Sequence, residues 1–253
     1  NNMSKPIEKR KKKTDNSYFL YGFHSVAEAI ANPKRKKLEL WVTKNAYNKL
    51  ISKVTLPKVP INYLKKKSKL PISNDTVHQG VILKVAPLNH QLEKGLITKR
   101  GKNVVIVLDK VTDPQNVGTI IRTSLFFGCI AVINSERGGA REGGALAKGA
   151  SGAFEKIPYI LVSNISQTLD FFKKSGFSVI GLEEKADLSI NSKFFSTFEN
   201  NLVLVFGSEG GGLRRLTLEN CDYHAKISGN SSFSSLNVST AVGITLNSLL
   251  SLE

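Results

Sequence analysis

The sequence predicts an α/β protein in two parts, a small α/β module followed by a larger domain with a mostly parallel sheet. After residue 103, continuous apolar segments alternate with helical segments, which is typical of parallel strands covered on both faces. The balance of basic and acidic residues also changes near residue 100. Residues 1–100 hold 22 Lys and Arg against 6 Asp and Glu, whereas the remainder holds 14 of each. This asymmetry favours a polyanion-binding module joined to a neutral one.

Composition excludes several classes of protein. A hydrophobic fraction of 41% predicts a packed core and excludes a disordered chain. No apolar run approaches the roughly 20 residues of a membrane span, so no membrane association is expected. Cys129 and Cys221 lie far apart without a CxxC context, which argues against a disulfide scaffold or a zinc finger and favours reduced thiols. No metal site is expected. The reduced thiols indicate a cytosol-like compartment, the cytoplasm, with an organellar matrix as the alternative.

Residues 1–17 form a predicted basic tail. Between residues 5 and 13 it holds five Lys and one Arg against Glu8. Either this segment is a solvated, disordered tail or it is an arm that contacts nucleic-acid phosphates. The polar run Thr14–Ser17 stands where a secretory signal would need an apolar region, so no such signal is predicted.

Residues 18–87 form the predicted small α/β module. Its expected elements, in order, are a helix at 25–31, a strand at 38–43, a helix at 46–53, a strand at 59–64 and a strand at 77–85. In the last of these, every second residue from Val77 to Val85 shares one face of a strand.

Two basic clusters lie between the elements of this module. The first comprises Lys34, Arg35, Lys36 and Lys37, and the second comprises Lys65, Lys66 and Lys67 with Lys69. Clusters in loops beside a sheet are suited to contact with RNA phosphates. The alternative is a surface that only keeps the protein in solution.

A polar linker is predicted at 88–102, and the second domain at 103–253. Strands are expected at 103–108, 130–133, 156–162, 177–183, 202–206 and 223–227. Helices are expected at 116–127, 166–175, 213–219 and 236–250. The segment from 134 to 152 is interpreted as glycine-rich loop.

The first motif of this domain runs from Asp109 to Ser124, directly after a predicted strand. Ligands collect at this end of the strands in parallel α/β sheets. Asn116 and Gly118 open the following helix, and Arg122 lies six residues after Asn116. An Arg near the start of this helix is able to hold a phosphate with two hydrogen bonds. The alternative is a surface salt bridge.

The second motif, residues 204–213, has four glycines within six positions. Such a loop needs positive φ angles or a close approach of its backbone to another group. A P-loop would need Gly-Lys-Ser/Thr where Leu213 and Arg214 stand, and Glu209 would repel the pyrophosphate of a dinucleotide. A small cationic or neutral ligand fits Glu209 better, with an ordinary tight turn as the alternative.

The third motif, residues 227–241, places Ser and Asn side chains just before a helix. These residues are good helix caps, and capping alone would explain them. Ser234, Ser235 and Asn237, however, supply more donors and acceptors than a cap requires. The motif therefore indicates a polar loop that is able to hold a ligand.

Together the three motifs resemble the SPOUT-class SpoU or TrmH family of RNA ribose 2′-O-methyltransferases. They are similar, in residues and in order, to that family's N-x-G-x-x-x-R, l-G-x-E-G-x-G-l and S-L-N-v-S. The first module is similar to the family's G-x-H-x-V-x-x-A opening at 22–29 and to its H-Q-G strand at 78–80. That pair resembles the RlmB-like branch, which modifies a guanosine of large-subunit ribosomal RNA. One departure is Ile227-Ser228-Gly229, where that branch usually has Ile-Pro-Met.

The resemblance implies a trefoil knot in the C-terminal domain, an RNA-binding N-terminal module, S-adenosylmethionine as cofactor and a homodimer. It implies that the cofactor contacts Gly207, Gly212, Ile227, Ser235 and Leu236. It assigns catalysis to Asn116, Arg122, Glu209, Ser235 and Asn237, with Arg122 acting on the ribose and the adjacent phosphate. A guanidinium with a pKa above about 12 is a poor base, so we expect electrostatic stabilisation from Arg122, with its transient deprotonation left open.

The expected reaction is methyl transfer to the ribose 2′-hydroxyl of a nucleotide, expected to be guanosine, in large-subunit ribosomal RNA. Two alternatives remain, the same transfer on transfer RNA and a catalytically silent RNA-binding or ribosome-assembly factor. Retention of Asn116, Arg122, Glu209 and Asn237 argues against the silent factor. A dehydrogenase is excluded because the dinucleotide fingerprint is absent.

Overall fold

The computed structural model describes residues 16–66, 68–97, 101–199, 201–229 and 236–250. These residues form two sheets, one in each predicted part of the chain. Most of the predicted basic tail and Lys67 of the second basic cluster lie outside these ranges. Within them, no helix is long and apolar enough to cross a membrane. The same ranges hold no group of three or more His, Cys, Asp or Glu side chains that could bind a metal ion.

The N-terminal part of the protein has a four-stranded sheet and two helices. The strands are β1 (Tyr18–Tyr21), β2 (Lys37–Val42), β3 (Ile61–Tyr63) and β4 (Val81–Val85), and the helices are α1 (Phe23–Ala31) and α2 (Lys44–Ile51). The strand order is β1-β4-β2-β3, with β4 antiparallel to β1 and β2, and β3 parallel to β2. Apolar residues that alternate along these strands, such as Leu40 and Val42, are fully buried.

Two expectations for this module are wrong. The strand predicted at 77–85 begins only at Val81, because Gln79 and Gly80 adopt positive φ angles of 54° and 77° and form a turn. Val77, expected to share the buried face, is 65% exposed. The strand β1 was not expected either, although its backbone pairs with β4 from Tyr18 to Tyr21.

The C-terminal sheet has seven strands, and the predicted α/β class with a mostly parallel sheet is confirmed. The strands are β5 (Val104–Asp109), β6 (Ala131–Ser135), β7 (Tyr159–Val162), β8 (Phe177–Leu182), β9 (Leu188–Ser189), β10 (Asn201–Gly207) and β11 (Tyr223–Lys226). Their order is β7-β6-β5-β10-β8-β11-β9, and each neighbouring pair of strands is parallel.

Helices cover both faces of this sheet. They are α3 (Pro114–Phe126), α4 (Gly144–Ala150), α5 (Ile165–Lys174), α6 (Ser192–Ser196), α7 (Arg215–Glu219) and α8 (Val238–Leu250). Ile106 and Leu108 pack with α3 and α8, whereas their neighbours Val105 and Val107 pack with α5 on the opposite face. This explains why β5 is a continuous apolar run, since both of its faces are buried.

The helix α4 lies between the two parts of the protein, inside the segment that was expected to be loop. A Cβ atom on Gly118 of α3 would overlap the carbonyl oxygen of Leu146 in α4. On the other side, a Cβ atom on Gly144 would overlap the carbonyl oxygen of Phe19 in β1. Glycine disfavours a helix by its own propensity, yet here it allows two backbones to approach this helix closely. The short elements α6 and β9 were also not expected.

Arg35 joins the two parts through a buried ion network, which corrects its prediction as an RNA contact. Its side chain is fully buried and donates to Glu142 at 2.6 Å and to Glu155 at 2.6 Å. Burial disfavours its cation, but the hydrogen bonds to Glu155 hold the pKa of Arg35 above its usual value. Glu142 also accepts the hydroxyl of Tyr18 at 2.7 Å and the backbone N–H of Leu88 at 3.1 Å.

Candidate active site at the ends of the parallel strands

Three side chains from the three motifs meet at one end of the C-terminal sheet. The Nδ2 of Asn116 donates to the Oε1 of Glu209 at 3.1 Å. The Nδ2 of Asn237 donates to the same Glu209 oxygen at 2.8 Å and to the Oδ1 of Asn116 at 3.0 Å. Glu209 and Asn237 lie 93 and 121 positions after Asn116 in the sequence. The fold therefore brings three distant residues into one hydrogen-bonded cluster.

Helix capping positions two of these side chains. Asp113 accepts the backbone N–H groups of Gln115 and Asn116 and so places Asn116 in the first turn of α3. The Oδ1 of Asn237 accepts the N–H and the hydroxyl of Ser239 at the start of α8. Capping thus uses the oxygen of Asn237, while its amide nitrogen reaches Glu209. The capping and ligand-loop interpretations of the third motif are both compatible with this geometry.

The glycine-rich loop after β10 is closed by its own backbone. The N–H of Gly212 donates to the carbonyl oxygen of Ser208 at 2.9 Å. A Cβ atom on Gly207 would overlap the backbone of Gly212 and Leu213, so glycine is needed there by the loop itself. Gly210 and Gly212 have positive φ angles of 80° and 60°, with open space around each. The loop therefore leaves exposed backbone beside the Glu209 cluster.

Asp109 anchors this loop to the first motif, a role that the sequence did not reveal. Its buried carboxylate accepts the N–H and the Nε of Arg214 at 3.1 and 2.7 Å, and the hydroxyl of Thr217 at 2.7 Å. Asp109 thereby holds the start of α7 next to the end of β5. The available signal was an acidic residue directly after five apolar strand residues.

Arg122 does not join the cluster of Asn116, Glu209 and Asn237. Six residues along α3 correspond to about 9 Å along the helix axis and about 240° around it. Its side chain is exposed and forms no hydrogen bond or ion pair with the described part of the chain. Arg122 lies instead on an exposed stripe of α3 with Thr119 and Phe126, and Phe126 is 82% exposed.

The two cysteines are not nucleophiles at neutral pH. Burial raises the pKa of the Cys129 thiol to about 12 and that of the Cys221 thiol to about 12. Both thiols therefore stay protonated, and Cys129 packs as an apolar residue in the core under α3. The chemistry of the site has to come from the oxygen and nitrogen groups around Glu209.

Comparison with known families shows to which family the chain belongs. The profile of the SpoU rRNA Methylase family matches residues 103–247, which include the whole Asn116, Glu209 and Asn237 cluster. The chain belongs to this family. A second profile, described as RNA 2′-O ribose methyltransferase substrate binding, matches residues 19–91. The family resemblance inferred from the three motifs is therefore confirmed.

Individual relatives of the SpoU family cover most of the chain. A 23S rRNA (guanosine-2′-O-)-methyltransferase RlmB from Pseudomonas aeruginosa is 32% identical over 239 residues, which are 91% of this chain and 95% of that protein. An RlmB from Burkholderia sp is 41% identical over 177 residues, 69% of this chain and 70% of that protein. An AdoMet-bound rRNA methyltransferase from Sinorhizobium meliloti has a similar fold, with a TM-score of 0.75, 21% identity and coverage of 92% and 87% of the two chains.

The described residues that the SpoU resemblance assigns to the cofactor lie at the same end of the sheet as the Glu209 cluster. Gly207 ends β10 opposite Asp109, and Ile227 follows β11 and packs on the core that also contains Phe206 and Val238. Leu236, which precedes α8, is 49% exposed. Ser235 lies outside the described residues. At Ile227-Ser228-Gly229, where the sequence departs from the family pattern, the hydroxyl of Ser228 donates to the hydroxyl of Ser189 at 2.7 Å.

Hydrogen bonds join the two sequence motifs of the N-terminal module, at 22–29 and 78–80. The Oε1 of Gln79 accepts the backbone N–H of Phe23 at 2.8 Å, and the carbonyl oxygen of His78 accepts the N–H of Gly22 at 3.3 Å. The Nδ1 of His78 accepts the N–H of Gly80 at 3.2 Å, so this ring shapes the turn before β4. Of the residues predicted to contact RNA, Lys34, Lys36, Lys65 and Lys66 are exposed.

Proposed function

We propose that this protein transfers a methyl group from S-adenosylmethionine to the ribose 2′-hydroxyl of a guanosine in large-subunit ribosomal RNA. The observation that carries the proposal is the hydrogen-bonded cluster of Asn116, Glu209 and Asn237, which joins all three SpoU motifs at one edge of the sheet. The substrate follows from the relatives, which are named 23S rRNA guanosine-2′-O-methyltransferases and align over most of this chain. With this substrate the protein acts in the cytoplasm of a bacterial-type cell.

The described residues fit the cofactor. The exposed backbone of Gly210 and Gly212 allows close approach, because neither has an atom within 4 Å of the position of an added Cβ. Ile227 and Leu236 offer apolar contact for an adenine ring. Glu209 is the carboxylate of the cluster, and its negative charge suits a sulfonium cation and disfavours a phosphate. S-adenosylmethionine supplies an electrophilic methyl group when it is bound here.

The residues of the chain then have distinct tasks. Glu209 fixes the side-chain amides of Asn116 and Asn237, which leaves the cluster with a single, defined arrangement. Arg122 would stabilise negative charge on the 2′-oxygen as its proton leaves, since a guanidinium with a pKa above about 12 cannot serve as an efficient base. It would also hold the adjacent phosphate with two hydrogen bonds. Such positioning and charge stabilisation are the main contributions that the protein makes to the reaction.

We also propose that the protein is a homodimer through the exposed face of α3 and α8. Phe126 on α3 is 82% exposed and Ile244 on α8 is 37% exposed. The two helices pack side by side, and a Cβ atom on Gly243 would contact Thr123 at 3.9 Å. Arg122 lies on the same stripe as Phe126. A dimer would therefore cover the apolar side chains and bring Arg122 towards the Glu209 cluster of the partner subunit. The trefoil knot that the resemblance implies stays a prediction.

Methyl transfer from labelled S-adenosylmethionine tests this function. The wild-type protein should label large-subunit ribosomal RNA from cells that lack it, at a single 2′-O-methylguanosine. Arg122→Ala should reduce single-turnover transfer about 10²–10³-fold, because charge stabilisation of this kind contributes roughly 2.7–4 kcal/mol. Arg122→Lys should restore little, since an ammonium cannot make the planar two-point contact.

Calorimetric titration of S-adenosylmethionine is the control. Its affinity should be the same for the wild type and Arg122→Ala, because the proposed cofactor residues lie in other loops. Methylation of transfer RNA would contradict the proposed substrate. The absence of any methylation, together with intact RNA binding, would contradict the proposed reaction. If Arg122→Ala lost cofactor binding as severely as it lost methyl transfer, Arg122 would be a structural residue.

A further inference from the structure

A polar depression of about 410 Å³ lies on the N-terminal module, and its lining contains no residue of the two basic clusters. It opens between the start of α1, the helix α2 and the turn before β4. Its lining includes Phe23, His24, Asn45, Lys49 and Gln79, and none of its lining residues is acidic. The two sequence motifs of the module, which include His24 and Gln79, thus meet at its wall.

The positive charge at this depression has no counter-ion among the described residues. The segment from Lys44 to Lys53 contains three lysines and no acidic residue. The Nζ atoms of Lys49 and Lys53 lie 4.5 and 5.5 Å from the centre of the Phe23 ring, and neither lysine pairs with a described carboxylate. Lys49 lies near the end of α2 and Lys53 just after it, and both place a positive charge beside the same ring. Like charges at this spacing repel each other, so an anion bound near them would remove an unfavourable interaction.

The polar groups around the lysines favour an acceptor-rich ligand. Gln79 uses its Oε1 to accept the N–H of Phe23, which leaves its amide NH₂ group as a donor. Its φ angle of 54° is uncommon for a residue other than glycine, and such conformations are frequent at binding sites. His24 and Asn45 are exposed beside it. These donors match the oxygens of a phosphodiester.

The helix α4 contacts the surroundings of both the depression and the candidate active site. Lys148 of α4 donates to the carbonyl oxygen of Val77, next to the turn that carries Gln79, at 2.8 Å. Its neighbour Gly149 packs against Gln115, and a Cβ atom on Gly149 would lie 3.3 Å from the carbonyl oxygen of Gln115. Gln115 directly precedes Asn116. One helix has a diameter of about 10 Å with its side chains, so a single RNA strand of a few nucleotides spans both places.

We propose that this depression binds a backbone phosphate of the substrate RNA, a few nucleotides from the ribose that is methylated. Lys49, which lines the depression, and Lys53, which lies next to it with its Nζ 5.5 Å from the centre of the Phe23 ring, supply the positive charge. His24, Asn45 and Gln79 supply hydrogen-bond donors. This inference rests on the proposed function and adds to it a defined contact site within the substrate-binding module. It also locates RNA on the side of the module that faces α4.

The test is the salt dependence of RNA binding for Lys49→Gln, with Lys58→Gln as the matched control. Both changes remove one exposed ammonium from the same module, but Lys58 does not line the depression. With a large-subunit ribosomal RNA transcript, the logarithm of the association constant falls as the logarithm of the salt concentration rises. The magnitude of this slope should decrease by about 0.7–0.9 for Lys49→Gln. The slope should be unchanged for Lys58→Gln and for Lys49→Arg, and Lys49→Gln/Lys53→Gln should lose about twice as much.

Steady-state methylation gives an independent readout. Lys49→Gln should raise KM for RNA several-fold and leave kcat and the affinity for S-adenosylmethionine unchanged, with the thermal midpoint of unfolding as a check of folding. Equal slopes for Lys49→Gln and Lys58→Gln would overturn the inference while the proposed function stands. Because RNA binding is measured without the cofactor, a wild type that binds RNA but transfers no methyl group would contradict only the proposed function.

Discussion

Gly207 and Gly212 belong to the same loop but meet different physical demands. A Cβ atom on Gly207 would overlap the backbone of Gly212 and Leu213, whereas a Cβ atom on Gly212 would meet nothing within 4 Å. At Gly212 the only obstacle is the positive φ angle of 60°. The resemblance implies a cofactor contact at Gly207, and the backbone of the loop also requires glycine there.

We therefore expect Gly207→Ala and Gly212→Ala to differ in kind. Gly207→Ala should open the loop, lower the free energy of unfolding by about 1–3 kcal/mol and abolish S-adenosylmethionine binding. Gly212→Ala should cost roughly 1–2 kcal/mol through its backbone conformation and retain measurable binding. Denaturant unfolding and calorimetry check both. Gly207→Ala with wild-type stability would show that the loop has another conformation.

Single residues also show how far the sequence predicted the site. Asn116, Glu209 and Asn237 could be predicted because each follows a strand or caps a helix within a dense polar motif. The role of Asp109 could not, because its partner Arg214 is 105 residues away and only the parallel pairing of β5 with β10 brings them together. Arg35 was misassigned for a related reason, since its run of basic neighbours resembles a solvated surface until Glu142 and Glu155 are located in space.

At the scale of elements, α4 determines how the two parts of the protein fit together. It packs against α3 through Gly118, against β1 through Gly144, and its Ala147 carbonyl accepts the hydroxyl of Ser25 in α1 at 3.0 Å. Sequence periodicity predicted most strands of the C-terminal sheet, because their apolar runs are continuous. It missed α4, because glycines that allow close packing also weaken the helical signal.

The Arg35 network should account for much of the stability of this contact. Arg35→Met would leave Glu142 and Glu155 without their buried cation, and breaking a buried pair typically costs about 3–5 kcal/mol. We expect a thermal midpoint lower by roughly 10 °C, at about 2–4 °C per kcal/mol for a chain of this size. The exposed neighbour Lys36 provides the control, since Lys36→Met should change stability by less than about 0.5 kcal/mol.

Scanning calorimetry of the two variants measures this difference, and limited proteolysis within 88–97 reports on the contact itself. The N–H of Leu88 binds Glu142, so loss of the network should expose this segment to cleavage in Arg35→Met first. Unfolding of Arg35→Met and Lys36→Met at the same temperature would show that packing around α4 alone holds the two parts together.

At the scale of the whole molecule, the separation of Arg122 from the Asn116, Glu209 and Asn237 cluster is the basis of the proposed dimer. The Asn116, Glu209 and Asn237 cluster is formed within the chain, whereas Arg122 is exposed beside Phe126 on a separate face of α3. If the proposed dimer forms through this face, each active site combines the cluster of one subunit with Arg122 of the other. Two different inactive variants should then complement each other.

Co-expression of Arg122→Ala and Asn116→Ala with two affinity tags tests this arrangement. Tandem purification isolates heterodimers, in which one site has both an intact cluster and an intact Arg122, and the other site lacks both. We expect such heterodimers to recover about half of the wild-type methyl transfer per dimer, while each homodimeric variant stays inactive. If Arg122 acts within its own chain, both sites of the heterodimer lack one group and no activity returns. A monomer in sedimentation with full activity would contradict the dimer itself, because the site would then be complete within one chain.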